Sequence, residues 1–319
     1  MTEVQVGEQF GAYRVLGVLG SRGVGQVLRA TDTENDRDVA LTVLHPRWAQ
    51  DDAYRQRFLA SARVAVRLTE PHVVPIDRYG EVEGRLFLAT RLVEGADLAS
   101  LLTRSGPLDP ARAVDLVGQV ARALDAAHAA GLVHGALSTA DVLLVRRGDG
   151  GDPAGAAAGE DVVQLTGLGV APPVDPGEAS APDPRADVQA LAGVLFELLT
   201  GRPPLPAAEP PAPSSLRPGV PPDLDGVVLR GLAADPGQRW TSAGGMAAAA
   251  RAVLSVSGID VPRPAEHPAP AGPAGPARTS SLRGRRATRS APALGVASGL
   301  AAVLLAARAR WRARRRTGR

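Results

Sequence analysis

The hydrophobic period of this chain changes near residue 100, and that change limits the architectures open to it. Between residues 11 and 100 the apolar residues gather in short β-rich runs separated by turns, at 13–16, 26–30, 39–44, 73–76 and 86–92. One helical stretch, 53–68, interrupts them, with Tyr54, Phe58, Ala62, Ala65 and Leu68 three or four residues apart. Beyond residue 101 the period lengthens. Asp109 before Pro110 reads as a helix start and Gly131 as its stop, and a second helix runs from 184 to 200 and ends at Gly201. Two more are expected at 222–234 and 241–255. A block of strands followed by a run of helices argues for an α+β protein of two lobes.

Composition sets what those lobes are made of. At 319 residues with 45% hydrophobic content the chain can bury a large core, but with 3% aromatics that core must be Leu, Val and Ala. Cysteine is absent, which excludes disulfides, thiolate catalysis and cysteine metal sites. The five histidines (His45, His72, His128, His134, His267) show no metal-ligand spacing. Residues 1–20 lack a basic start followed by an apolar run, so no signal peptide is expected. All 36 basic residues are arginine, a bias that a GC-rich genome produces on its own.

Charge is unevenly spread. Residues 278–319 hold 12 Arg and no acid, whereas the other 277 residues hold 24 Arg against 33 acids. An acidic body with a basic tail points to a tail that meets an anionic membrane surface. Nucleic acid is not the expected partner, since the tail offers only Trp311 for stacking and is built around an apolar run. That run, 291–307, is uncharged, and as a helix it would span about 25 Å against a bilayer core of about 30 Å. Five arginines precede it and seven follow, a distribution awkward for a cytoplasmic body under the positive-inside tendency. A transmembrane helix is the first reading and an interfacial segment the alternative. Residues 147–160, rich in Gly, Ala and Asp, read as an enlarged turn between strands, and residues 262–277 as a Pro/Ala/Gly linker.

Six stretches in order resemble bacterial Hanks-type serine/threonine protein kinases over roughly residues 10–255. Leu19-Gly20-Ser21-Arg22-Gly23-Val24-Gly25-Gln26-Val27 is similar to the glycine-rich loop, and Val39-Ala40-Leu41-Thr42 to the strand that bears the phosphate-holding lysine. His134-Gly135-Ala136-Leu137-Ser138-Thr139-Ala140-Asp141 resembles the catalytic loop, and Gly167-Leu168-Gly169 the metal-binding segment. Asp187 opens a stretch similar to the central helix of the large lobe, and Asp235-Pro236-Gly237-Gln238-Arg239 a late structural motif. The resemblance implies a β-rich N-lobe (1–95) and a helical C-lobe (96–258). A linker (259–290), the candidate span (291–307) and a basic tail (308–319) would follow.

Set against the same family, the chemistry is missing at five positions. The lysine falls at Thr42, the helix glutamate that orients it at Ser61, and the catalytic base at Ala136. The loop lysine falls at Ser138 and the metal-binding aspartate at Gly167. Only Asp141, where the family has a metal-binding asparagine, remains to touch a cation. The stretch from Gly169 to Asp187 is short for an activation loop, and no Ala-Pro-Glu anchor is found. The resemblance assigns a nucleotide pocket to Leu19, Gly20, Arg22, Gly23, Gly25, Val27, Ala40, Thr90, Leu92, Val93 and Leu143, while the bland reading has these residues complete a core.

The expectation is thus a pseudokinase, not an enzyme, needing no cofactor and binding ATP with little metal dependence if at all. It would act at the cytoplasmic face of the cell membrane through other signalling proteins. An active kinase or a phosphothreonine-reading domain would engage Thr279-Ser280-Ser281 and Thr288. The alternative is a divergent kinase that uses Arg22 and Asp141, since Arg22 sits in the glycine-rich region to which with-no-lysine kinases move their lysine.

Overall fold

The computed structural model describes residues 3–22, 24–146, 161–170, 183–205 and 210–261. The N-lobe is a six-stranded antiparallel sheet in the order β1-β2-β3-β4-β6-β5. Its strands are β1 (Gln9–Phe10), β2 (Tyr13–Arg22), β3 (Gly25–Asp32), β4 (Arg37–Leu44), β5 (Ile76–Val82) and β6 (Arg85–Arg91). Helices α1 (Pro46–Gln50) and α2 (Asp52–Ala65) lie between β4 and β5. The strand expected at 73–76 is displaced. Pro75 has no N–H to give a ladder, so Val73 makes a single parallel bridge to Leu165 and the strand begins at Ile76.

The two faces of this sheet are buried against different partners, because successive side chains point to opposite sides. On the outer face Leu28, Ala30, Val39, Leu41, Val43, Phe87 and Ala89 form a small core with Phe10, Tyr13, Val15 and Val4. The N-terminal segment closes it, and the Val4 N–H donates to Gln26 Oε1 at 3.0 Å. On the inner face Leu44, Leu86 and Leu88 join the main core beneath α2. Asp51 caps α2 through a bond from the Tyr54 N–H at 3.0 Å, and Tyr54, Phe58, Ala62 and Ala65 supply its buried stripe. Trp48 on α1 stacks near Tyr54 with ring centroids 5.2 Å apart.

The C-lobe opens with β7 (Ala96–Asp97) and α3 (Leu98–Ser105), the latter an element the periodicity reading left unassigned. Helix α4 (Pro110–Ala129) starts at the expected Asp109 cap and is buried along most of its length. Strands β8 (Val142–Arg146) and β9 (Asp161–Leu165) complete a small antiparallel sheet in the order β7-β8-β9. They flank the expected turn at 147–160, which lies outside the described residues. Helix α5 (Pro184–Thr200) runs through the centre of the lobe and stops at Gly201, whose φ of 78° suits glycine. The lobe is completed by α6 (Pro213–Leu216), α7 (Asp223–Gly231) and α8 (Ala243–Val256). Trp240, between the last two, donates to Val227 O at 3.1 Å and carries Arg230 over its ring.

The lobes are tied behind the cleft. Val74 N donates to Leu165 O (3.0 Å) and Leu165 N to His72 O (2.7 Å). The buried His72 ring bridges Val163 O and Arg122 of α4 at 2.9 and 2.7 Å. Beneath it, Arg112 and Asp161 form a buried ion pair at 2.8 Å, with Gln119 joining α4 to the first half of β9 through Asp161 O and the Val163 N–H. No helix of the described residues is long and apolar enough to cross a membrane. Residues 262–319, including the candidate span 291–307, lie outside the described residues.

Candidate functional site

The floor of the interlobe cleft is the loop between α4 and β8. Its backbone is held from below by Asp187, the first buried residue of α5. The Asp187 carboxylate accepts the N–H groups of His134 and Gly135, both at 2.8 Å, and the His128 Nε2–H at 2.8 Å. Burial pushes its pKa up, but the His128 bond and the two backbone donors outweigh that and hold it below the usual 3.8. His134 Nε2 reaches forward to Thr166 O at 2.9 Å, fixing the loop to the segment after β9. Arg239 is buried and donates to Ala233 O, Ala234 O and Arg185 O, bracing the lower end of the lobe.

On the cleft side of that loop the side chains are small or turned onto the loop itself. Ala136 and Ser138 are exposed. The Ser138 N–H and hydroxyl both donate to one oxygen of Asp141, at 2.8 and 2.7 Å. The Thr166 N–H in turn donates to Asp141 O at 2.9 Å. Asp141 is buried, so its carboxylate serves the turn Thr139–Asp141. Gly167 and Gly169 have φ of 85° and 83°, backbone that glycine adopts at little cost. A Cβ on Gly169 would lie 3.5 Å from Ala62 Cα, so this segment packs directly on α2. Ser61, one residue before, is half-buried on the same helix.

The apolar candidates come from both lobes. Val27 pairs with Thr42 and Ala40 with Thr90 across the inner sheet face, and the Thr90 hydroxyl donates to Ala40 O at 3.3 Å. On β8, Val142 and Leu144 enter the main core while Leu143 lies on the other face. Val27, Ala40, Leu92, Val93 and Leu143 are all half-buried and belong to neither apolar core. Leu19 is 52% exposed on β2, beside Gly20, which pairs with Val27. Gly25 sits where a Cβ would meet Val43 O at 2.1 Å, a contact that requires glycine. Gly23 and the side chain of Arg22 lie outside the described residues.

A second concavity, of about 1270 Å³, lies on the far side of the loop between α5 and α7. Its floor is apolar, with Leu137, Ala190 and Leu232, and it holds one carboxylate that the sequence reading missed, Glu197. Burial raises the Glu197 pKa above the usual 4.5 in spite of a 3.2 Å bond from the Thr139 hydroxyl. Among the described residues no group of three or more His, Asp or Glu is arranged to hold a metal ion.

The protein kinase domain family matches residues 13–215, more than half of the sequence. The chain belongs to the protein kinase family. Its curated relatives include the serine/threonine-protein kinases PknH and PknD of Mycobacterium tuberculosis, each 42% identical, over 276 and 286 residues. Those matches cover 79% of this chain but 43% and 41% of the relatives, so the chain spans less than half their length. The crystal structure of a point-mutant kinase domain of PknI, also from Mycobacterium tuberculosis, matches with a TM-score of 0.68 at 30% identity. It covers 79% of this chain and 100% of that domain, which agrees with the β-sheet N-lobe and helical C-lobe. Family and two-lobed fold thus stand as the sequence motifs implied.

Proposed function

We propose that this member of the kinase family does not transfer phosphate and acts instead by binding other signalling proteins. Phosphoryl transfer draws on a cation at the nucleotide phosphates, metal ions held by carboxylates, and a carboxylate that takes the hydroxyl proton. The observation that carries the proposal is the cleft side of the catalytic-type loop. Thr42, Ala136 and Gly167 offer neither charge nor base, and the one acid left, Asp141, has an oxygen engaged twice by Ser138. These residues do not fit a metal-bound triphosphate. Loss of the base and loss of metal charge stabilisation each remove orders of magnitude in rate.

The scaffold beneath the loop supports a folded, partner-binding role. The buried Asp187 carboxylate holds the backbone of the loop, and the bonds of Arg239 brace the lower end of the lobe. We further propose attachment to the cytoplasmic face of a membrane through residues 278–319. The partners in view are an active kinase or a phosphothreonine-reading domain. Binding of a nucleotide by the half-buried apolar residues of the cleft, with little metal dependence, is a separate part of the proposal.

The test is transfer of labelled phosphate by the purified chain, to itself and to a generic protein substrate, with Mg²⁺ or Mn²⁺. None is expected. The second reading is a divergent kinase using Arg22 and Asp141, and incorporation that disappears in Arg22→Ala or Asp141→Ala would establish it instead. Retention in the membrane fraction after a 1 M salt wash is expected, since screening falls to about 3 Å there and removes electrostatic attraction. Release by salt alone would make the attachment peripheral.

A further inference from the structure

Helix α2 buries one side and leaves the other bare. Tyr54, Phe58, Ala62 and Ala65 enter the main core. The opposite side shows Gln56, Arg57, Ala60, Arg63 and Val64, continued by Arg67 in the turn that follows, all of them exposed and three or four residues apart. Residues 53–69 hold four arginines and no acid. One of the four, Arg55, is paired with Glu81 at 2.6 Å. On the sheet Arg29 is likewise paired with Asp38, Arg37 with Asp77 and Arg78 with Glu34. Among the described residues Arg57, Arg63 and Arg67 form no ion pair. The acids at either end of the helix are placed for other work. Asp51 caps α2, Asp52 lies in its first turn, and Glu70 accepts the His72 N–H at 3.3 Å. The helix dipole favours a cation near its end, yet two there repel each other, and Arg57 lies far from it. Arg57 instead stands over the Tyr54 ring at 5.9 Å. Tyr54 lies 5.2 Å from Trp48, and Arg47 of α1 stands 4.4 Å over that ring. The two rings hold these guanidinium groups in place before any ligand arrives, which lowers the cost of ordering them.

We propose that this face of α1 and α2 docks an acidic, extended segment of a partner protein. The inference rests on the partner-binding part of the proposed function and gives that partner its chemistry. Charge complementarity carries it, since the arginines reverse the sign of a body in which 33 acids outnumber 24 Arg. From Arg57 to Arg67 the face runs about 15 Å at 1.5 Å per residue. That is too long for a single carboxylate or phosphate and matches four or five residues of extended chain at about 3.3 Å each. A bilayer is the poorer occupant. Helices that lie on anionic lipid set bulky apolar side chains beside their cations, whereas Ala60 and Val64 stand between these arginines.

The experiment is fluorescence anisotropy of dye-labelled hexaglutamate titrated with the full chain in uncharged detergent. Replacing Arg57, Arg63 and Arg67 together by Gln should weaken binding at least about tenfold, a difference of about 1.4 kcal/mol. The control for unspecific attraction replaces Arg314, Arg315 and Arg316 of the tail by Gln, and there the affinity should stay within about twofold of wild type. Loss in the tail variant without loss in the α2 variant overturns the proposal. The urea midpoint of the α2 variant should match wild type, and a clear fall would make these arginines part of the fold and overturn it also. Phosphatidylserine vesicles test the other occupant. The α2 variant should bind them as wild type does, and loss of vesicle binding with hexaglutamate binding intact would assign the face to lipid instead. Phosphate transfer by the chain would refute the proposed function without altering these affinities. Failure of wild type to bind hexaglutamate would remove this docking face without restoring transfer.

Discussion

Asp187 and Asp141 serve the same loop from opposite sides. Asp187 lies beneath it and accepts two backbone N–H groups and an imidazole, of which the His134 N–H is fully buried. Asp141 lies on the cleft side and accepts from a serine three residues away. Below the loop, a small neutral residue at Asp187 would strand buried donors. Above it, Thr42, Ala136 and Gly167 strand nothing, because a bound phosphate or metal is what their charged counterparts would meet. The contrast separates polar groups that the fold needs from those that only a ligand would need.

The comparison can be broken by mutation, and the largest effects should lie on the buried side. Arg112→Ala leaves the Asp161 carboxylate buried without its guanidinium and should cost about 4 kcal/mol in urea unfolding. A loss below about 1 kcal/mol would mean that the pair is not buried in solution. Asp187→Ala should cost about 3 kcal/mol by stranding the His134 and Gly135 donors. This effect depends on pH. The folded pKa of Asp187 is lowered, so its contribution is present above the unfolded value of 3.8 and is lost as pH falls through the folded value. The gap between wild type and variant should therefore close in acid, and a gap that widens there contradicts the pairing.

On the cleft side the effects should shrink. Ser138→Ala removes one donor from Asp141 and should cost about 1 kcal/mol. Thr42→Ala, at a half-buried position in the middle of β4, should stay within about 0.5 kcal/mol. A Thr42→Ala loss equal to that of Asp187→Ala would erase the distinction between the two sides. Glu197→Gln tests the concavity beyond the loop. The raised Glu197 pKa means that ionisation is disfavoured in the folded chain, so its favourable contribution is complete at low pH and is lost as pH rises through the folded value. The glutamine variant should melt slightly above wild type at neutral pH, with the difference vanishing in acid.

The parts of the fold that were legible are those whose signals are local. The cap at Asp109, the stop at Gly201 and the stripe of α2 lie within a few residues of what they control. Helix α3 carried a comparable signal, Asp97 accepting from Ser100 before Leu98, Leu101 and Leu102, and was overlooked because it is only eight residues long. The run at 73–76 looked like a strand from its apolar residues, yet β5 is polar and exposed at Asp77 and Arg78, so hydrophobicity pointed to the wrong segment. In the site, the Ser138 and Asp141 pair could be read from its spacing. The bonds from Thr139 to Glu197 and from Arg122 to His72 could not, since they join residues 58 and 50 apart.

The two tryptophans among the described residues fall one to each lobe, Trp48 beside Tyr54 in the first and Trp240 against α7 in the second. Each is half-buried in a different apolar setting, with Arg47 over one ring and Arg230 over the other. Intrinsic fluorescence is therefore a built-in pair of reporters. With Trp311 of the tail replaced by phenylalanine, Trp48→Phe silences the N-lobe and Trp240→Phe the C-lobe, without adding any label. Should the His72 tie hold the lobes together until both melt, the two emission traces will superimpose. Should it give way first, the order in which the lobes come apart can be read from their colours alone.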